Sequence, residues 1–363
     1  FSTLGHVEAV DTSEFTRERV READALIVRS EVKVGRTLLE GSRVQFVGTT
    51  TIGTDHLELG WLESRGIQVA SAPGCNANSV REYLLAALLV LGERHDLQLR
   101  GMTLGIVGVG NIGSRVRKLA AALGMNVLLN DPPLARLTGD PAYRPLEEVL
   151  DADIITLHVP LKKTGEDPTF HLIDEHTIRK MRRDAILINT SRGPIVANET
   201  LRHVLKEGKL RAAVLDVWEG EPEIDAALLE LTDLGTPHIA GYSLDGKTNA
   251  VQMVYDAVCS SMNVAPSWRM NAGKLPSPQV SEISFSSKRI GERELGEIVK
   301  QCYDIHFDDT SLRRILTVPG EARRAYFQKL RTGYRVRREF RATRIRGVAP
   351  EDASFLRDMG FTV

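Results

Sequence analysis

"GIVGVGNIGSRV", residues 105–116, settles how the rest of the chain is read. An apolar run, "MTLGIVGVG" (102–110), leads into it. A helical pattern, "NIGSRVRKLAAALG" (111–124), leads out, with Ile112, Val116, Leu119, Ala120 and Leu123 on one face and Gly124 as the stop. Between them stand Gly108, Gly110 and Gly113. Gly108 permits a tight turn, Gly110 lets the backbone approach a pyrophosphate, and Gly113 lets the helix pack closely on the strand. The N–H groups of the helix start, around Asn111 and Ile112, then face phosphate oxygens, supported by the helix dipole. The next apolar run, "NVLLND" (126–131), ends in Asp131, 21 residues after Gly110. A carboxylate there accepts hydrogen bonds from ribose hydroxyls and repels a 2′-phosphate, which favours NAD over NADP. A lone G-x-G-x-x-G carries little weight because glycine is common. Strand, helix and acid in register around it carry far more.

Outward from this turn the same texture continues. "DALIVRS" (24–30), "VQFVGTTTIG" (44–53) and "IQVASAPG" (67–74) read as strands, with helical "GRTLLEGS" and "LELGWLESRG" between them. Residues 76–94 form a helix apolar on nearly every side, which must be buried. After the glycine turn, "DIITLHVP" (153–160), "AILINTS" (185–191) and "AAVLDVW" (212–218) are continuous apolar runs, as expected of parallel strands covered on both faces. Alternation of strand and helix implies parallel sheet with right-handed crossovers. At 265–280, "APSWRMNAGKLPSPQ" marks a linker.

Composition sets the outer limits. The chain has 363 residues, 42% hydrophobic and 26% charged, with net charge −1, ordinary for a water-soluble protein of two or three domains. No apolar run reaches the ~18–20 residues of a membrane span, and residues 1–15 lack the basic start and apolar stretch of a signal peptide. The chain opens without a methionine. Cys75, Cys259 and Cys302 have no metal-like spacing, which points to reduced thiols, a cytoplasmic setting and no metal. Charge is uneven in one place: residues 313–346 hold twelve Lys/Arg against two Glu. Such a block suits an acidic ligand, nucleic acid or an acidic partner surface, although no aromatic-interleaved nucleic-acid module accompanies it.

Three further strand ends carry polar groups. "NTSRG" (189–193) offers Arg192, "DVWEGEP" (216–222) offers Asp216 and Glu221, and "GTPHIAGY" (235–242) offers His238. In an open parallel sheet, ligands bind outside the carboxyl ends of the strands, so these groups stand where chemistry occurs. Taken alone, each has a plain structural reading. Together, in order, beside a dinucleotide turn, they mark a single site rather than three coincidences.

The stretches "GIVGVGNIGSRV", "INTSRGPIV", "LDVWEGEP" and "TPHIAGYS" resemble the D-isomer-specific 2-hydroxyacid dehydrogenases across residues 20–262. The resemblance implies catalytic Arg192, Glu221 and His238: Arg192 to hold the carboxylate of a 2-hydroxy acid, which its planar fork suits, His238 to take the hydroxyl proton, and Glu221 to orient the ring and stabilise its charged form. It implies NAD contacts from Gly108, Gly110, Asn111, Ile112, Gly113, Asp131, Thr190, Ser191, Arg192, Asp216 and Gly241. A narrower resemblance, carried by "DALIVRSEVKV", "FVGTTTIGTDHL", "SAPGCNA" and "GTPHIAGYSLDGK", is to a branch that takes a phosphorylated 2-hydroxy acid. It implies substrate contacts from Ser30, Thr51 and Tyr242, with Arg29 the local candidate for the phosphate. Where this branch often has Thr after His158, the chain has Val159, and the family's first strand falls before residue 1. The implied fold is α/β. It has two Rossmann-like doubly wound parallel-sheet domains, one from 1–82 and 239–265 for substrate and one from 83–238 for NAD. A smaller α+β domain, 266–363, completes it and is expected to bury Ile315, Leu316, Tyr326, Phe327, Leu330 and Phe340 against a second copy. In such a homodimer, Arg337 and Arg338 are the candidates to reach the neighbouring cleft. Open alternatives are another enzyme of the family, of phosphoglycerate or glyoxylate/hydroxypyruvate type, and an NAD-sensing corepressor on the same fold. Nucleic acid and membrane are not expected partners.

Overall fold

The structure is a computed structural model that describes residues 1–285 and 289–363. It forms two compact units, 1–76 with 243–276 and 77–242 with 277–363. In the first unit, strands β1 (Ala25–Val28), β2 (Phe46–Thr49) and β3 (Gln68–Ala70) make a parallel sheet in the order β1-β2-β3. The Leu244–Ser261 helix lays Val254 and Val258 against Phe46 of the central strand. This close approach is possible because Gly48 has no side chain: a Cβ there would lie 2.5 Å from Val254. The expected linker is partly tied to this unit, since the Trp268 ring packs edge-on against Tyr255 at 5.4 Å.

The second unit is built on six parallel strands. They are β4 (Thr103–Val107), β5 (Asn126–Asn130), β6 (Ile154–Leu157), β7 (Ile186–Asn189), β8 (Ala212–Leu215) and β9 (Leu234–Gly235), in the order β5-β4-β6-β7-β8-β9. Every residue of β6, β7 and β8 is buried, which accounts for their unbroken apolar sequence. Leu129 of β5 makes a further parallel bridge to Tyr143. The chain therefore moves outward from β4 to β5 and Tyr143, then crosses to β6 on the other side. That reversal puts the crevice for a ligand over the carboxyl ends of β4 and β6.

Two cores flank this sheet. On one face the Ala77–His95 helix buries Tyr83, Leu84, Leu85, Leu88 and Leu91 with Leu104 and Ile106 of β4 and Val116 and Leu119 of the Gly113–Ala122 helix. Its outer side is covered by Leu295, Ile298 and Val299 of the Glu292–Cys302 helix, which explains a helix apolar all round. A two-stranded parallel sheet, β10 (Glu282–Ser284) with β11 (Arg344–Arg346), adds Ile283 and Ile345 to the same core. The other face buries Trp218, Leu228 and Leu229 together with Leu312, Ile315 and Phe327 of the C-terminal segment.

These contacts correct part of the sequence reading. The apolar groups of the tail are covered within the chain: Ile315 and Phe327 enter one core and Phe340 the other, with Leu316, Tyr326 and Leu330 at the border. Residues 277–363 consequently belong to one compact unit with 77–242. The expected boundary at 82/83 falls inside the Ala77–His95 helix and moves to its start, because a continuous helix folds as one piece. The boundary at 238/239 moves to 242/243. Much of the basic block is likewise spent internally. The Arg313 Nε donates to both carboxylate oxygens of Asp309, and its Nη groups donate to the Leu229 and Thr232 carbonyls at 2.9 and 2.7 Å. Arg335 pairs with Asp308. Arg337, expected to reach another subunit, is buried and donates to the Ser79 carbonyl beside Glu82. Among the described residues no helix is long and apolar enough to cross a membrane.

Candidate active site

The glycine turn has the geometry its spacing demands. Gly108 lies in the left-handed region at φ 88°, and a Cβ on it would meet the His158 carbonyl at 2.7 Å. At Gly113 a Cβ would fall 2.0 Å from the Gly108 oxygen, so the helix start rests directly on the turn. Gly110 is different: a Cβ there would meet nothing within 4 Å. The space above Gly110 is thus open, while the other two glycines are pinned by the chain itself. Asp131 fastens this turn as well as closing β5. One oxygen accepts from Val109 N at 2.8 Å, and the other accepts from Leu134 N at 3.0 Å, capping the Pro132–Thr138 helix. Asn111 is exposed and its carbonyl accepts from Arg115, while Ile112 caps the Gly113–Ala122 helix.

At the end of β7 a short turn presents Thr190, Ser191 and Arg192. It is held by Asn189, which the sequence reading passed over. The Asn189 Oδ1 accepts from Ser191 N and Oγ at 3.0 and 2.8 Å, and its Nδ2 donates to the Arg192 carbonyl at 3.0 Å. An Asn before three small or polar residues at a strand end is a local signal for such a side-chain clasp. Arg192 Nη1 donates to the Ser191 carbonyl at 2.8 Å. Gly193 carries the turn onto the next loop, where a Cβ would stand 2.0 Å from the Trp218 carbonyl.

His238 sits after β9 at φ 58°, a left-handed conformation uncommon for a residue with a side chain. Asp216 fastens it there. The Asp216 carbonyl accepts from His238 N at 2.7 Å. One carboxylate oxygen accepts from Thr236 Oγ1 and Ile239 N, both at 2.7 Å, and the other from Ala240 N at 2.9 Å. Asp216 was expected to contact the cofactor, yet both of its oxygens are engaged by the turn and it is buried. Burial pushes its carboxyl up from the ordinary range, opposed by His238 and these hydrogen bonds. The strain at His238 is thereby held by a neighbouring group, as functional sites require.

The His238 Nδ1 lies 2.5 Å from Glu221 Oε1, and the other Glu221 oxygen accepts from Trp218 N at 3.2 Å. Burial alone would raise the Glu221 carboxyl. The charge and hydrogen bond of His238, with Arg331 and the Trp218 N–H, bring it below its ordinary value instead. With Nδ1 engaged, Nε2 is the ring nitrogen left to exchange a proton. Two other histidines are distinguishable. His158, after β6, is half-buried with its Nδ1 enclosed; burial drops it to about 3, so it stays neutral. His171 contacts Glu219 at 2.6 Å, but the second Glu219 oxygen accepts from Asn198 N and the ring stacks on Phe170, which pins a loop. The sequence reading did not single out this pair.

Gly241 and Tyr242 close the turn after His238, with Tyr242 N donating to the Ile239 carbonyl at 2.8 Å. The remaining expected residues belong to the first unit. Ser30 is exposed past β1. Thr51 Oγ1 is within 2.8 Å of the Thr49 hydroxyl and donates to the Gly53 carbonyl at 3.0 Å. Arg29 lies 4.0 Å from Glu31, both about half exposed. The features of the second unit fit a dinucleotide. There is open space over Gly110, and two buried polar atoms, Thr190 Oγ1 and His158 Nδ1, lack a hydrogen-bond partner among the described residues. Among those residues no cluster of three or more His, Cys, Asp or Glu is arranged to hold a metal ion.

Comparison with known proteins agrees with this geometry. Residues 90–240 match the family "D-isomer specific 2-hydroxyacid dehydrogenase, NAD binding domain", and residues 274–360 match a domain family of unknown function, DUF3410. Curated erythronate-4-phosphate dehydrogenases of Enterobacter sp. (strain 638) and Salmonella arizonae are each 42% identical over 99% of this chain and 94% of their own length. Among solved structures, the D-lactate dehydrogenase of Aquifex aeolicus complexed with NAD and lactic acid is 28% identical. It covers 69% of this chain and 86% of its own, with a TM-score of 0.58.

Proposed function

The chain belongs to the erythronate-4-phosphate dehydrogenases, within the D-isomer specific 2-hydroxyacid dehydrogenases, and from that premise we propose how its residues carry out the reaction. It is an NAD-dependent oxidoreductase. The substrate is 4-phospho-D-erythronate, oxidised at C2 to 3-hydroxy-2-oxo-4-phosphobutanoate, a step of pyridoxine biosynthesis. Arg192 holds the substrate carboxylate through its planar fork and draws electron density from C2. The His238 Nε2 accepts the C2 hydroxyl proton, and Glu221 offsets the positive charge that the ring then carries. Bound NAD supplies the acceptor for the hydride that leaves C2. Residues Gly108–Gly113 and the Thr190–Arg192 turn are the proposed seat of the cofactor, with Asp131 reading its ribose. Gly241 lies beside His238 on the same turn, and Asp216 serves the cofactor indirectly by holding that turn. Ser30, Thr51 and Tyr242 are the proposed substrate contacts, with Arg29 a candidate for the phosphate.

The observation that carries this reading is the His238–Glu221 contact at 2.5 Å on a turn that Asp216 braces. The test is turnover of 4-phospho-D-erythronate with NAD by His238→Ala, with His171→Ala as comparison. Loss of a general base costs ~10²–10⁴-fold in rate. The His238 variant should lose that much and the His171 variant far less. Undiminished turnover in His238→Ala would remove the assignment. A homodimer is part of the proposal, now through groups that remain exposed on the C-terminal segment, such as Phe307 and Val336; light scattering on the full chain checks it. Three free cysteines support a cytoplasmic setting.

A further inference from the structure

Tyr242, three residues beyond Ile239 on the turn that carries His238, is held from the C-terminal segment on two sides. Arg331, at the end of the Gly320–Thr332 helix, donates from Nη2 to the Tyr242 hydroxyl at 3.2 Å, with its guanidinium carbon 5.9 Å from the ring centre. Tyr334 packs edge-on against the same ring at 5.8 Å, and its own hydroxyl donates to Asp308 at 2.8 Å. Arg331 thus projects a fixed cation toward the turn that carries His238, close enough that its charge helps keep Glu221 ionised.

The electrostatics of the reaction make that placement informative. A phosphorylated 2-hydroxy acid brings a carboxylate at one end and a phosphate, close to doubly charged at neutral pH, at the other. Arg192 answers the carboxylate. Glu221, which the dyad needs, repels the phosphate. A second guanidinium beside the dyad offsets that repulsion, and its fork matches phosphate oxygens. The helix bearing Arg331 lies in the 274–360 match, outside the 90–240 segment shared with the wider family. The chemistry that distinguishes a phosphorylated substrate from lactate therefore has a cation delivered by the segment that distinguishes this chain.

We infer that Arg331 is a specificity-determining residue that binds the phosphate end of the substrate, aimed by its hydrogen bond to Tyr242. The inference rests on the substrate reading above. It is tested with full-length wild type, Arg331→Met, Arg331→Lys and Tyr242→Phe, each assayed with NAD on 4-phospho-D-erythronate and on unphosphorylated D-erythronate. The kcat/KM ratio of the phosphorylated to the unphosphorylated acid should fall about 10- to 100-fold in Arg331→Met, the range expected for charge-assisted hydrogen bonds. The change should sit in KM, and Arg331→Lys should recover part of it. Tyr242→Phe keeps the cation and should lower the ratio only a few-fold. An equal loss on both acids, or a Tyr242→Phe variant as poor as Arg331→Met, would mean that Arg331 only positions Tyr242, and would overturn the inference. An unchanged KM for the phosphorylated acid in Arg331→Met would do the same while leaving the substrate reading intact. Wild-type protein that ignores 4-phospho-D-erythronate but oxidises another 2-hydroxy acid would bring down both.

Discussion

Gly110 and Gly113, three residues apart on one turn, give opposite forecasts for the same substitution. Gly113→Ala places a methyl 2.0 Å from the Gly108 oxygen. Non-bonded carbon and oxygen rarely come nearer than about 3 Å, so helix and turn must part by roughly 1 Å. Overpacking of that kind costs ~1–3 kcal/mol, or a melting temperature lowered by about 2–10 °C for a unit of this size. Gly110→Ala meets nothing within 4 Å and sits outside the left-handed region, so the unliganded protein should melt as wild type. Its methyl instead occupies the space assigned to the pyrophosphate. Losing charge-assisted hydrogen bonds there costs ~1.5–3 kcal/mol, which weakens NAD binding about 10- to 100-fold. Differential scanning fluorimetry of the unliganded variants, paired with calorimetric NAD titration, separates the two effects. If Gly110→Ala binds NAD as tightly as wild type, the pyrophosphate does not lie on this turn. If Gly113→Ala melts with wild type, the close approach of helix to turn is not a constraint.

Asp131→Ala should narrow the preference for NAD over NADP, measured as the ratio of dissociation constants, and cost about 1 kcal/mol of stability through the lost helix cap. Glu221→Gln should lower turnover by about 10²-fold, because the protonated ring loses its counter-charge. It should also flatten the acid limb of stability. A carboxylate held below its ordinary value stabilises the fold above that value and loses the contribution as pH falls through the lowered one, so wild type should lose more than the variant below about pH 4.3. Arg313→Met removes the clasp on Asp309 and on the Leu229 and Thr232 carbonyls, and urea unfolding should show a loss of about 2–4 kcal/mol.

What the sequence could and could not reveal follows the range of each interaction. The places of Gly108, Gly113, Arg192, Glu221 and His238 were readable because each lies within a few residues of a strand end, and strand ends show as the edges of apolar runs. The strands are shorter than those runs, since ladder pairing stops where the chain begins to turn. The tail's apolar groups were legible as a buried face, but nothing local says which surface covers them; Ile315, Phe327 and Phe340 find theirs within the chain. Arg331 meets Tyr242 across 89 positions, and such a pairing leaves no periodicity. Asp216 was named as a cofactor contact from resemblance; the three donors that meet its carboxylate appear only when the His238 turn folds back on it.

The shared core of the second unit bears on how this protein emerges from the ribosome. The first unit has all of its residues once Pro276 is synthesised. The Ala77–His95 helix is made long before, yet its outer side waits for Leu295, Ile298 and Val299, and its Arg81 for the Asp358 and Met359 carbonyls. At translation rates of about 5–20 residues per second, the 87 residues from Ser277 to Val363 take roughly 4–17 s. Through that interval the Ala77–His95 helix lacks part of its cover, the kind of transiently exposed apolar surface that makes large proteins depend on chaperones. The His238–Glu221 pair is complete in the chain by residue 238, but the unit that holds it also needs the Pro350–Met359 helix.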